Sequence, residues 1–149
     1  MRGSDPDFLG RGWRFPPSFE VDVDSAGAAI GPGRAAMIQG DDDIRQSIEI
    51  LMQTFHGERI LSPDYGIGIA AHVFDPTDET QLGDLRSQIE HAILFFEPRI
   101  KVRAIELSTD ASEDGLLHVS IDYDVPAINS RSNMVYPLYF KEGTNVRDR

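Results

Sequence analysis

The hydrophobic positions of the chain predict two amphipathic helices. The first begins at Asp41 to Asp43, because carboxylates in a first turn complement the positive end of a helix, and Gly57 is placed to end it. Its apolar residues recur at the spacing of one helix face: Ile44, Ile48, Leu51, Met52 and Phe55. The second helix is predicted from about Asp78 to Phe96. Its apolar face has the same periodicity: Leu82, Leu85, Ile89, Ala92, Ile93 and Phe96.

Strand-like alternation occurs on both sides of the helices. Before them, FEVDV and AAMIQ, separated by three glycines and a proline, predict a short, loose hairpin. After them come three strand-like runs, IKVRAIEL, LLHVSIDYDV and MVYPLYF. Alternate residues of the middle run share one face: Leu117, Val119, Ile121, Tyr123 and Val125. Pro137 places the last run at a sheet edge or a bulge, because proline cannot donate to a strand ladder.

This order of elements predicts an α+β fold. We expect a small mixed or antiparallel sheet with an N-terminal hairpin and two main amphipathic helices packed on one face. Residues 1–18 are predicted to be an extended docking arm, and residues 19–149 a single domain. Trp13 and Phe15 are bulky apolar residues in an irregular arm that cannot bury them, so they require a groove on this domain or on a neighbouring protein.

Composition and charge narrow the possible partners. The 149 residues suit one domain and include no cysteine, so disulfides and thiolate metal sites are excluded and a reducing cytoplasm is expected during assembly. No segment has the roughly 20 apolar residues needed for membrane insertion. The net charge of −11 disfavours nucleic acid and anionic lipid. We therefore expect protein partners.

No motif of the sequence indicates a catalytic site. Residues 66–71 match GxGxxA, but a dinucleotide site needs a strand before the motif and a helix after it, so we interpret Gly66 as part of a tight turn. The histidines do not have zinc-site spacing, and no nucleophile or phosphate-loop motif is present. Carboxylates are abundant, yet glycoside hydrolysis needs a pair facing each other across a cleft. We predict no catalytic residue, no cofactor and no metal.

Glu97, Pro98 and Arg99 form a charged boundary between the second helix and the following strand. Proline stops the helix, and an extended tripeptide would place the two charges on one side. Glutamate is electrostatically misplaced at the negative end of a helix, so it needs a compensating group. That group is either Arg99 itself or a residue of a partner, and the sequence leaves both readings open.

Four segments together resemble the baseplate wedge family of contractile phage tails, long labelled "lysozyme-like". They are GRGWRFPPSF (10–19), DIRQSIEILMQTFHGERILSPDYG (43–66), FEPRI (96–100) and NMVYPLYFKEG (133–143). Gly-Glu-Arg, Glu-Pro-Arg and Tyr-Pro in this order are more specific together than singly. The family is related to the type VI secretion wedge subunit. The GWRFPP arm is more similar to the versions in phage tails and extracellular contractile injection particles than to the secretion-system version.

The resemblance implies a structural role in a baseplate. The Glu97-Pro98-Arg99 corner would dock on wedge core proteins. The edge of the C-terminal sheet that contains residues 116–125 and 134–140 would template the first ring of the contractile sheath by strand exchange. The sheet residues implied in partner binding are Val119, Ile121, Tyr123, Tyr136 and Tyr139. Tube or hub proteins are further candidate partners. Two alternatives remain open at this point, a peptidoglycan-cleaving enzyme and an anti-adaptor type of regulatory protein.

Overall fold

The computed structural model describes residues 9–67, 78–109 and 116–139. By its internal contacts the chain divides into two compact units, Met1–Ser47 and Ile48–Arg149, which are described separately below. The described residues form two α-helices and three antiparallel sheets, so the predicted α+β class is confirmed.

The first unit contains two small antiparallel ladders. Strand β1 (Arg11–Trp13) pairs with β4 (Met37–Gln39), and β2 (Phe19–Glu20) pairs with β3 (Arg34–Ala35). A hairpin does form between FEVDV and AAMIQ, but it is limited to β2 and β3 and one further bridge from Val23. The remainder of AAMIQ pairs instead with residues predicted to belong to the arm.

Helix α1 (Asp41–Gln53) spans the division between the units. The three predicted aspartates form its first turn. Four residues of the predicted apolar face are no more than 1% exposed: Ile44, Ile48, Leu51 and Met52. The prediction for Phe55 is wrong, because the helix ends at Gln53 and Phe55 lies beyond it, 41% exposed. Gly57 instead forms a turn, with a positive φ of 81° and its N–H donating to the Pro63 carbonyl at 2.7 Å.

Helix α2 (Glu79–Phe96) lies in the second unit. It begins where predicted, because the Asp78 carboxylate accepts hydrogen bonds from the N–H groups of Thr80 and Gln81 at 2.9 and 3.4 Å. Its buried face contains Leu85, Ile89, Ala92 and Ile93. It ends before Pro98, as the sequence predicts, and it packs against the first strand of the C-terminal sheet.

The C-terminal sheet has the antiparallel order β5 (Lys101–Thr109), β6 (Leu116–Val125) and β7 (Ser130–Tyr139). The predicted inner face of β6 is fully buried: Leu117, Val119, Ile121, Tyr123 and Val125. Strand β7 has no further neighbour in the described sheet, so Pro137 lies on an edge strand, as predicted. A short 3-10 turn (Pro126–Ile128) and Asn129, at a positive φ of 49°, connect β6 to β7.

Candidate functional site

Glu97 and Arg99 form a bidentate ion pair at the end of α2. Arg99 Nε and Nη2 donate to Glu97 Oε1 and Oε2, both at 2.6 Å. The glutamate side chain is only 3% exposed, whereas the arginine side chain is 28% exposed. The negative charge of Glu97, which is unfavourable at the negative end of α2, is therefore compensated within the chain. Arg99 is the more exposed member of the pair.

A turn, not an extended segment, brings the two charges together. Ile100 N–H donates to the Glu97 carbonyl at 3.4 Å, and Pro98 and Arg99 lie within this turn. The predicted extended tripeptide is therefore wrong, although the expected pairing of the charges is correct. The Glu97 N–H remains bonded to the Ile93 carbonyl at 2.8 Å, so the last helical turn also fixes the glutamate backbone. Pro98 itself is exposed.

An aromatic pair links this corner to the Gly-Glu-Arg segment that follows α1. The Arg59 guanidinium lies 4.0 Å from the centre of the Tyr65 ring, a cation–π contact. Tyr65 in turn meets Phe96 edge-to-face, with ring centres 5.0 Å apart. Burial raises the pKa of Tyr65, Arg59 lowers it and the Glu97 carboxylate raises it further. The sequence assigns no role to Arg59 or Tyr65, because nothing local predicts their contact.

Two pairs of apolar residues are exposed on the segments that form this corner. Leu94 and Phe95, in the last turn of α2, are 72% and 65% exposed. Ile60 and Leu61, directly after Arg59, are 94% and 101% exposed. Adjacent aliphatic and aromatic side chains that remain in water are typical of surfaces that another protein covers.

The sheet residues implied in partner binding lie in two different environments. Val119, Ile121 and Tyr123 are on the central strand β6 and are fully buried, so their side chains belong to this chain's core. Tyr136 is half-buried on the edge strand β7. Tyr139 ends that strand, and its side chain lies outside the described part of the structure. Partner binding by these residues stays a prediction, and the first three could act only by shaping the sheet.

The aromatic residues of the predicted arm are exposed although their backbone is held. Gln46 Oε1 accepts from Phe15 N–H at 2.7 Å, and Gln46 Nε2 donates to the Trp13 carbonyl at 2.8 Å. The Trp13 and Phe15 residues are nevertheless 65% and 58% exposed. Their main chain is thus docked on the chain itself, while the rings remain accessible to a neighbour.

Gly66 lies very close to the main chain of a neighbouring residue. Its φ is +107°, and a Cβ at this position would overlap the Thr54 carbonyl. Residues 68–71 of the GxGxxA match lie outside the described residues. A cavity of about 110 Å³ beside Gly66 is lined by residues that include His56, His91 and Phe96. The described residues contain no group of three or more histidine, aspartate or glutamate side chains arranged for a metal ion.

The aspartates of the central strand are held by neighbouring side chains. Asp124 accepts a hydrogen bond from Arg103 at 2.6 Å, and Asp122 accepts one from Asn133 at 2.7 Å. The Asn133 bond lowers the pKa of Asp122, and Arg131 lowers it further against the opposing effect of burial. Both carboxylates are thus engaged in holding neighbouring strands together.

No described helix is long and apolar enough to cross a membrane.

Comparisons with known proteins identify one matching family and two similar structures. The family described as "Baseplate wedge protein gp25" matches residues 38–130. A crystal structure of a Geobacter sulfurreducens protein that carries the provisional name tail lysozyme is 37% identical, with a TM-score of 0.64. That match covers 72% of this chain and 99% of the Geobacter protein.

A second similar structure comes from the cryo-EM baseplate of the anti-feeding prophage. It is 23% identical, covers 92% of this chain and 90% of its own, and has a TM-score of 0.58, so it supports the fold. No curated protein matches the chain. With its α+β fold, the Glu97-Pro98-Arg99 corner and a family match over residues 38–130, this chain belongs to the baseplate wedge protein gp25 family.

Proposed function

We propose that this chain is a non-enzymatic baseplate subunit that docks on wedge core proteins through the Glu97-Pro98-Arg99 corner and starts the first sheath ring by accepting strands at its sheet edge. The observation that carries the docking role is the closed ion pair between Glu97 and Arg99 beside exposed apolar residues. The membership of the chain in the wedge family supplies the class of partner.

The corner has the properties of a preorganised binding surface. Both ends of the turn are fixed by backbone hydrogen bonds, and the guanidinium is oriented by two bonds to one carboxylate. The conformational entropy of this surface is therefore lost on folding and not on binding a partner. The exposed Leu94 and Phe95 provide apolar area next to it, and a binding surface typically combines such anchors with a polar rim.

The sheet edges support the strand-accepting role. Strands β5 and β7 each pair only with β6 in the described sheet, so each has one side without a ladder. Such an edge can accept a strand from another chain by main-chain hydrogen bonding. Strand β7 carries Pro137, which lacks an N–H, whereas β5 contains no proline. We therefore assign the accepting role to β5 and not to the β7 edge that the resemblance implies.

The docking role is tested by replacing the exposed apolar residues of α2, because their removal should leave the fold intact. We expect Leu94→Ser with Phe95→Ser to keep the unfolding transition but to lower incorporation into baseplates by at least about tenfold, the effect of losing roughly 1.4 kcal/mol of binding. Incorporation is measured by mass spectrometry of purified particles. Ile30→Ser, also at an exposed apolar residue, is the matched control. Normal incorporation of the double variant would overturn the docking surface.

The strand-accepting role is tested on β5, not on the central strand. Ile121 pairs with Ile105 on one side and Met134 on the other, so a proline there would disrupt both ladders. Successive N–H groups of an antiparallel strand alternate between the neighbour and the open edge. Of Glu106→Pro and Leu107→Pro, the variant that retains its circular dichroism spectrum has lost an outward N–H. We expect particles carrying it to form baseplates without sheath, and normal sheath growth would contradict the proposal.

Peptidoglycan cleavage is a second candidate because of the provisional name of the 37% identical Geobacter protein. Zymography of the purified chain separates the two functions. The structural proposal predicts no clearing of peptidoglycan at any pH between about 4 and 8, the range in which carboxylate pairs work as acid and base. Clearing that disappears on replacing a single carboxylate would establish the enzyme.

A further inference from the structure

A basic cleft lies at the end of the C-terminal sheet where β5 begins. It has a volume of about 490 Å³, and its lining includes the cationic residues Lys101, Arg103 and Arg131 around the apolar Val125 and Pro126. The cleft is formed by the start of β5, the end of β6 and the turn into β7. None of the roles proposed above uses it.

The charges of this basic cleft favour an anionic ligand. Arg103 is paired with Asp124 at 2.6 Å, and Arg131 lies 3.4 Å from Asp122. Lys101 is exposed and forms no ion pair with any described residue. When Asp122 is included, the three cations of the basic cleft face two carboxylates, which leaves an excess of one positive charge. A local positive excess in a chain whose net charge is −11 indicates a site for a small number of negative groups.

A groove along the β5 edge shares one lining residue with the basic cleft. This edge groove has a volume of about 430 Å³ and runs along residues 102–106, with Arg86 and Glu90 of α2 on its other side. Arg103 lines both the edge groove and the basic cleft. The strand register shifts at this residue, so a β-bulge interrupts the ladder there. A strand added along the edge groove would therefore end beside Arg103 and the basic cleft.

We propose that the basic cleft binds an acidic peptide segment that directly flanks the strand accepted by β5. This inference rests on the proposed strand-accepting function and specifies the chemistry of the partner beside that strand. A peptide carrying a few carboxylates suits the excess positive charge at Lys101 beside the two paired guanidinium groups. A nucleic acid or an anionic membrane would bring many negative charges against a chain of net charge −11, which disfavours it.

The test compares two synthetic peptides on the isotope-labelled full chain, followed by backbone NMR. Both carry about six alternating valine and threonine residues, the composition of a strand, followed by either four glutamates or four glutamines. We expect both peptides to shift the resonances of Ala104, Ile105 and Glu106, which line the edge groove. Only the glutamate peptide should also shift Lys101 and Arg131, and it should bind about tenfold more tightly at low salt than at high salt.

Two charge variants then test whether Lys101 contributes to binding of the glutamate peptide. Lys101→Glu should weaken the glutamate peptide by roughly tenfold and leave the glutamine peptide unchanged. Arg34→Glu, which makes the same change in charge in the other unit, is the matched control and should have little effect. If both peptides bind equally and Lys101→Glu changes neither, the basic cleft is overturned while strand acceptance stands. If neither peptide binds, strand acceptance itself fails. Tighter binding of a single-stranded oligonucleotide than of the glutamate peptide would overturn the assignment to a peptide.

Discussion

Arg99 holds the carboxylate of Glu97 by two hydrogen bonds of 2.6 Å across a turn, and the carboxylate is almost completely buried. The pair therefore has two roles that the sequence alone does not separate. It compensates a negative charge at the negative end of α2, and it fixes the orientation of a guanidinium at the surface. Replacing either residue therefore first lowers stability, because the charge at the end of α2 is no longer compensated. Its effect on the orientation of the guanidinium can be measured only after that loss is known.

We expect Arg99→Gln to destabilise the chain, because it leaves the Glu97 carboxylate buried without this partner. The free energy of unfolding should fall by about 2–4 kcal/mol, and much of the loss should be recovered when Glu97→Gln is added. Urea denaturation of the two single variants and the double variant gives the coupling energy. Arg45→Gln breaks a more exposed pair with Asp41 and should cost less than about 1 kcal/mol. Additive effects at Glu97 and Arg99 would show that the pair is not coupled.

Gly66 should not tolerate a side chain. Gly66→Ala forces a positive φ on alanine and places its Cβ against the Thr54 carbonyl, so we expect a loss of about 2–4 kcal/mol in thermal or urea unfolding. Gly83→Ala is the matched control, because Gly83 lies within α2 and its added Cβ meets no atom. That variant should gain roughly 0.5–1 kcal/mol from helix propensity. Equal effects of the two variants would contradict the close approach at Gly66.

Tyr65 should make the chain less stable at high pH. Burial and Glu97 raise its pKa, so the folded state favours the neutral phenol more than the unfolded state does. The resulting stabilisation is complete below the unfolded pKa of about 10 and is lost as the pH rises through the higher folded value. The stability advantage of wild type over Tyr65→Phe should therefore shrink between about pH 9 and pH 11. A constant difference across this range would contradict the shift.

Asp122 should contribute in the opposite direction at low pH. The hydrogen bond from Asn133, assisted by Arg131, lowers its pKa in the folded state. Its contribution is present above the unfolded pKa of about 4 and is lost as the pH falls through the lower folded value. Acid titration of unfolding should show a smaller loss for Asp122→Asn than for wild type. Asn133→Ala, which removes the main cause of the shift, should behave similarly, and an unchanged titration would contradict the assignment.

Much of the local structure could be predicted because its causes are local. Apolar periodicity gave both helices, Asp78 gave the start of α2, and Pro98 gave its end within one residue. The inner face of β6 followed from simple alternation. Phe55 was misassigned because periodicity continues beyond Gln53 although the hydrogen-bonded helix does not. The wedge family could also be identified from the sequence, because its motifs are short and keep their order along the chain.

The sequence by itself determined the two helices, the three strand-like runs of the C-terminal sheet, their order and the presence of opposite charges at the end of α2. The tertiary structure decided how those charges meet, through a turn closed from Ile100 to Glu97, and it joined Arg59 to the corner through Tyr65. It also brought Lys101 and Arg131, distant in sequence, to one basic cleft at the end of the sheet. The physical reason is that helix and strand periods are set by neighbouring residues, whereas a binding surface depends on where the chain reverses and which strands pair.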